Sequence, residues 1–310
     1  MLRLTARCAK IAIGLLLILL SQLFAQGPAN LLEWHELSEI PPAENREYQP
    51  GLAGAFSGMS NGALIIAGGA NFPKPEWESA KEFHDDIYVL DEKGNWHTGC
   101  TLPKKIAYGM AVTIPEGIVC IGGTDGESLT DEVFLIKWNS KSVNLIDLQK
   151  LPFHLAYGYA TVSGDYIYLA SGQKDLGLES ATNLFLRLNI NDIQNSQWEM
   201  LPEMPGGNRA FNITVAQHNG QTDCIYVMSG RRFDENGEYE FLTDVWEYNI
   251  TTNSWQQKAD LPRCVMAGAG IHVGDSHIYI LGGADGSLVT KASELKENHP
   301  GFPKEALVYH

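Results

Sequence analysis

The sequence predicts an all-β protein, a β-propeller of four-stranded blades, and three observations carry that prediction. A strand-like apolar run ending in a small pair recurs five times, closing at Gly69, Gly123, Gly172, Gly230 and Gly283 with spacings of 54, 49, 58 and 53 residues. A polar loop and then a short run containing an aromatic follow each pair, with Tyr88, Phe134, Phe185, Trp246 and Tyr309 as those aromatics. Finally, Trp34 to Pro41, Trp96 to Pro103, Trp198 to Pro205 and Trp255 to Pro262 are each seven apart, while Leu145 stands seven before Pro152. Periods of this length mark stacked supersecondary units, and 31 glycines among 310 residues suit many short strands joined by tight turns.

Each element has a physical reason to look as it does. The first strand of a unit is rich in small residues (LAGAFSG, AYGMAVT, AYGYATV, RAFNITV, MAGAGIH), which fits the narrow inner radius of a ring of sheets. The second is the apolar run, and glycine at its end permits a tight turn and close backbone approach near the crowded axis. The third and fourth carry Tyr, Phe and Trp, large enough to fill the wider space between neighbouring sheets. A lone four-stranded sheet leaves a face open, so such sheets pack face to face around an axis. Repeats span residues 30–310. Trp34 begins a fourth strand with no first three before it, and LVYH at Leu307–His310 is a third strand with no fourth after it. The Trp34 strand closes a five-bladed ring, or a sixth unit is absent from this chain.

Residues 1–25 read as an export signal. Arg3, Arg7 and Lys10 precede an apolar run from Ile11 to Leu20, and Ala25 ends a plausible cleavage site. Cleavage there takes the chain from a net charge of −15 to 19 basic against 37 acidic residues, or −18. The expectation is an exported, acidic, soluble protein, periplasmic or secreted, with no membrane association after cleavage. That charge also argues against nucleic acid, which needs a neutralising basic surface. Cys100, Cys120, Cys224 and Cys264 are widely spaced, and Cys120 and Cys224 lie within strand-like runs, which favours buried thiols over disulfides. No Cys-x-x-Cys or His-Glu-x-x-His spacing supports a metal, and no cofactor is expected.

The double glycine, the later aromatic and the Trp-x(6)-Pro spacing resemble the kelch repeat. Within that class, GGANFP at Gly68–Pro73, AYG at Ala107–Gly109, PGGNR at Pro205–Arg209 and NITTNSW at Asn249–Trp255 resemble the cyclically permuted branch of the N-acetylneuraminate epimerase (sialic acid mutarotase) family. The insertion from Ala284 to Glu305 also has a counterpart there. The resemblance implies an exported six-bladed propeller that interconverts the α and β anomers of sialic acid. It further implies a carboxylic acid and an arginine, placed as Asn-Gly-Glu with Arg six residues on. No such motif is present: Glu127 brings no arginine, and six residues after Glu238 stands Asp244. By position the family's catalytic blade would follow His310, which favours a truncated six-bladed chain. A non-catalytic propeller binding glycans or proteins is the alternative, since a fold alone does not license an activity.

For an anionic sugar the candidate ligands are arginines, because the net charge repels it at long range. Arg209 begins an innermost strand and is expected to point toward the axis. Arg231 and Arg232 directly follow a second strand, in a loop where propellers bind ligands. Asn71 and His84 flank the insertion of the first unit and are further candidates for hydrogen bonds to a sugar, with loop stabilisation as the competing reading. The catalytic residues themselves are not legible. Asp86, Glu132, Asn183 and Asp244 recur at one repeat position and are read as structural.

Overall fold

The computed structural model describes residues 33, 35–43 and 46–310. Residues 33 and 35–38 carry no regular secondary structure, and residues 39–43 and 46–310 belong to the propeller unit. The segment 1–25 and Trp34 lie outside the described residues, so the export signal and the Trp34 strand are not seen.

Five antiparallel sheets follow one another along the chain, giving a five-bladed β-propeller. The first runs through Phe56–Ser60, Ala63–Ala67, Asp86–Leu90 and Trp96–Thr101. The second uses Met110–Ile114, Gly117–Ile121, Val133–Trp138 and Val143–Asp147. The third uses Tyr159–Ser163, Tyr166–Gln173, Ala181–Asn189 and Glu199–Met200. The fourth uses Ile213–His218, Asp223–Met228, Val245–Asn249 and Ser254–Lys258. The fifth has three strands among the described residues: Ala269–Val273, His277–Leu281 and Ala306–Tyr309. The insertion before its third strand holds a single helical turn at Ala292–Leu295.

The apolar core is divided among the seams between blades. Phe56, Ile65 and Ile87 of the first blade meet Ile118, Cys120 and Ile136 of the second. Phe185 and Tyr168 of the third pack against Tyr248 and Val227 of the fourth. The third-strand aromatics do fill these seams: Phe134 meets Phe56 edge-on at 5.7 Å, and Phe185 meets Tyr248 at 4.8 Å. Cys120, Cys224 and Cys264 are buried, Cys100 is half-buried, and no disulfide joins these four.

The small pair after each second strand has a backbone cause. Gly122 and Gly123 adopt φ of 58° and 115°, and a Cβ on Gly122 would run into the Leu155 carbonyl oxygen of the next blade. Ser171 and Ser229 hold the same left-handed φ (61° and 59°) at the first position of their pairs.

Candidate functional site

A second left-handed position repeats once per blade, just before the innermost strand. Gly54, Tyr108, Tyr157, Phe211 and Ala267 have φ between 55° and 64°. Their amides stitch one blade to the next: Tyr108 N–H donates to Gly54 O (2.8 Å), Tyr157 to Tyr108 O (2.9 Å), Phe211 to Tyr157 O (2.7 Å) and Ala267 to Phe211 O (2.9 Å). Tyr and Phe are unusual at positive φ, at a cost of order 1 kcal/mol each or more, and such strain gathers at functional positions. Here it sets three rings side by side. Tyr108 and Tyr157 lie 5.2 Å apart between centroids, and Tyr157 and Phe211 4.9 Å.

These rings line an axial cavity of about 520 Å³, within the usual size of a small-molecule site. Arg231 enters it from a two-stranded hairpin, Arg231–Phe233 with Tyr239–Phe241, that projects after the second strand of the fourth blade. Reciprocal backbone bonds between Arg231 and Ala210 (3.0 Å each) fix its start beside Phe211. The guanidinium then lies 4.5 Å over the Phe211 ring and 5.4 Å over Tyr239. Lys81 supplies a second cation, donating to the Tyr108 hydroxyl at 3.1 Å and lying 5.1 Å over that ring. Glu179 brings a carboxylate to the same wall.

Arg231 differs from its neighbours in having nothing to pair with. Arg46, Arg187, Arg209 and Arg232 each meet a carboxylate, and Arg263 donates to backbone carbonyls. Among the described arginines only Arg231 has a guanidinium without a hydrogen-bond or carboxylate partner, and its Nε is buried without one. Burial pulls it below the ordinary arginine value, only partly opposed by Tyr239, Tyr157 and Cys264. A half-buried cation on aromatic faces, with no carboxylate to offset its desolvation, is a seat for an anion. Burial, then the neighbouring Tyr108, raises the Tyr157 hydroxyl, keeping it protonated as a donor at neutral pH.

The other sequence candidates are spent inside the fold. Arg209 corrects the expectation that it faces the axis: it is fully buried and precedes the strand. Its guanidinium grips Asp244 with two bonds of 2.7 Å and also donates to Gly206 O (2.8 Å) and Ser229 O (3.1 Å). Arg232 points to the other side of the hairpin, pairing with Glu240 at 2.6 Å and donating to Gly206 O at 3.0 Å. Asn71 and His84 are brought together, but for each other. Asn71 Oδ1 lies 2.9 Å from His84 Nε2, and its amide donates to Gly51 O at 2.9 Å. Burial, and then Arg46, holds His84 below its usual value, so the pair is a neutral loop brace.

Sequence reasoning missed Tyr108, Tyr157, Phe211, Lys81, Glu179 and Tyr239. A signal for the first three was present in AYG, AYG and AFN, where an aromatic interrupts small residues at one repeat position. Among the described residues no group of three or more His, Cys, Asp or Glu side chains is placed to hold a metal ion.

The family model for N-acetylneuraminate epimerase matches residues 22–145 and 148–295. A Vibrio cholerae N-acetylneuraminate epimerase is 36% identical over 126 residues, covering 37% of this chain and 33% of the relative. One from Brucella suis is 35% identical over 124 residues, covering 36% and 32%. The matched segment thus spans about a third of the length of these curated relatives. The solved structure of YjhT superposes with a TM-score of 0.66 at 14% identity, covering 84% of this chain and 82% of that one, a likeness of fold.

Proposed function

The chain belongs to the N-acetylneuraminate epimerase family, and on that premise we propose that it interconverts the α and β anomers of N-acetylneuraminate, with Arg231 holding the sugar's carboxylate in the axial cavity. The observation that carries this reading is the unpaired Arg231 guanidinium over Phe211 and Tyr239. In a protein of net charge −15, such a cation is a local exception that selects an anionic group at short range.

The reaction asks little beyond placement and proton transfer. A base takes the proton from the anomeric hydroxyl, the bond from the anomeric carbon to the ring oxygen breaks, and the ring oxygen gains a proton. The open-chain keto acid then closes on its other face by the reverse steps, with no co-reactant consumed. Glu179 lines the cavity as the carboxylate available for the base, and the Tyr157 and Tyr239 hydroxyls are its available donors. A site that fixes the carboxylate and shields the ring between aromatic faces supplies the orientation. The charged and apolar pattern of residues 1–25 supports export, which places the proposed substrate outside the cytoplasm.

The test is proton NMR of freshly released α-N-acetylneuraminate with the full chain. Faster anomeric equilibration than in buffer is expected, and Arg231→Met should abolish the acceleration while leaving the protein folded. Saturable binding without acceleration would overturn the catalytic reading in favour of an acidic-glycan-binding propeller.

A further inference from the structure

The axial cavity shares a wall with a second cavity of about 820 Å³ beyond the hairpin that carries Arg231, and Glu179 lines both. Its side chain is exposed, long and flexible, so something must decide which space the carboxylate faces. The backbone beneath it is well held. Gln173, buried at the end of the strand Tyr166–Gln173, donates from Nε2 to the carbonyls of Leu176 (3.1 Å) and Asp175 (3.3 Å). Ser180 Oγ accepts from the Asp175 N–H at 3.0 Å and donates to Gly177 O at 2.6 Å. Leu178 is buried with Ala181 and Ala210, against Tyr157, Phe211 and Phe233.

Gly177 stands in the middle of this loop, and its backbone does not require glycine. At φ −80° and ψ 144° it is extended, a conformation open to any L residue. Space is what requires it. A Cβ built on Gly177 would overlap the Glu179 carboxyl group, both oxygens and the carbon between them. The Glu179 side chain thus folds back so that its carboxylate rests against the Gly177 α-carbon. Gly177 lines the axial cavity and is not among the residues of the outer one, so a carboxylate seated there is presented to the axial side. The atoms a Cβ would meet all belong to the Glu179 side chain, so the collision is relieved by swinging the carboxylate away and not by moving backbone.

Building on the reading of Glu179 as the base of the axial site, we infer that Gly177 is a positioning residue for the reaction: the side chain it lacks leaves the seat that holds the Glu179 carboxylate toward the anomeric hydroxyl. Binding of the sugar's own carboxylate stays with Arg231.

Exchange NMR of N-acetylneuraminate at saturating sugar, with calorimetric binding and thermal unfolding of the same full-chain samples, tests this. Gly177→Ala should melt at or slightly above the parent, because alanine accepts this backbone and restricts the unfolded chain. It should bind the sugar within about 2-fold of the parent and turn it over at least about 10-fold more slowly, a loss in kcat and not in affinity. Glu179→Gln should lose at least as much, and adding Gly177→Ala to it should cost nothing further, since the carboxylate to be positioned is gone. Parent turnover in Gly177→Ala beside a slow Glu179→Gln would overturn the inference and spare Glu179 as the base. So would an equal loss from Gly177→Ala in both backgrounds, or a lowered melting temperature with lost binding, which would assign Gly177 to the fold. Parent turnover in Glu179→Gln, or no acceleration by the parent chain, would overturn the reading of Glu179 and this inference with it.

Discussion

Replacing Arg209 with Met separates a structural arginine from a ligand-binding one. The substitution keeps a long apolar stem and deletes the guanidinium, removing two charge-assisted bonds to Asp244 and two bonds to the carbonyls of Gly206 and Ser229. Asp244 is left mostly buried, its side chain one-fifth exposed, with the Trp246 Nε1–H at 2.7 Å as its remaining close donor. Breaking a buried ion pair by removing one partner costs about 3–5 kcal/mol. The retained Trp246 bond and the nearby Arg232 charge place this site at the lower end, about 3 kcal/mol. At roughly 2 °C per kcal/mol for a chain of this size, the melting temperature should fall by about 6 °C or more. Thermal and urea unfolding followed by circular dichroism measure it. A cycle with Asp244→Asn should return a coupling of at least about 1 kcal/mol between the two positions. Melting within 1 °C of the parent, together with lost binding of N-acetylneuraminate, would refute the structural assignment and put Arg209 in the ligand site.

The same pair makes acid stability informative. Burial alone would raise the Asp244 carboxyl, but the hydrogen bonds and charge of Arg209, with Trp246 and Arg232, outweigh it and hold it below the ordinary value. Its contribution is therefore present above the unfolded value near 3.9 and lost as pH falls through the lower folded value. The gap in stability between parent and Arg209→Met should shrink on acidification below about pH 4, as equilibrium unfolding at stepped pH will show. Gly122→Ala puts a Cβ against the Leu155 carbonyl at a φ of 58° and should destabilise by about 2 kcal/mol or more, whereas Gly94→Ala meets no neighbouring atom and should cost about 1 kcal/mol, through its φ alone.

The five-fold repeat was legible because propeller blades are defined by local order. Apolar runs, glycine pairs and aromatics fall at a fixed period, and each prescribes a strand, a turn or a seam. The position of Arg231 beside the axial cavity was legible for the same reason, since a residue directly after a second strand emerges at the mouth of the axis. Arg209 was misread because its direction depends on Asp244, 35 residues away and in the same blade. Asn71 and His84 are close in sequence, yet nothing local says that each satisfies the other. The collar of Tyr108, Tyr157 and Phe211 was hidden more deeply. A Tyr between Ala and Gly carries no mark of positive φ, and the conformation comes from the bond that each amide makes to the preceding blade.

Binding of N-acetylneuraminate to the parent chain and to Arg231→Met, measured by calorimetry at fixed pH and salt, tests the central assignment most directly. The Arg231 guanidinium has no internal hydrogen-bond or ion-pair partner and only its contacts with the Phe211 and Tyr239 rings to lose, so its removal should leave the melting temperature within about 2 °C of the parent. It should weaken binding by about 10- to 100-fold, the worth of a charge-assisted bond to a carboxylate. Equal affinity of the two proteins for the sugar acid would contradict the account, because the axial cation would then hold nothing.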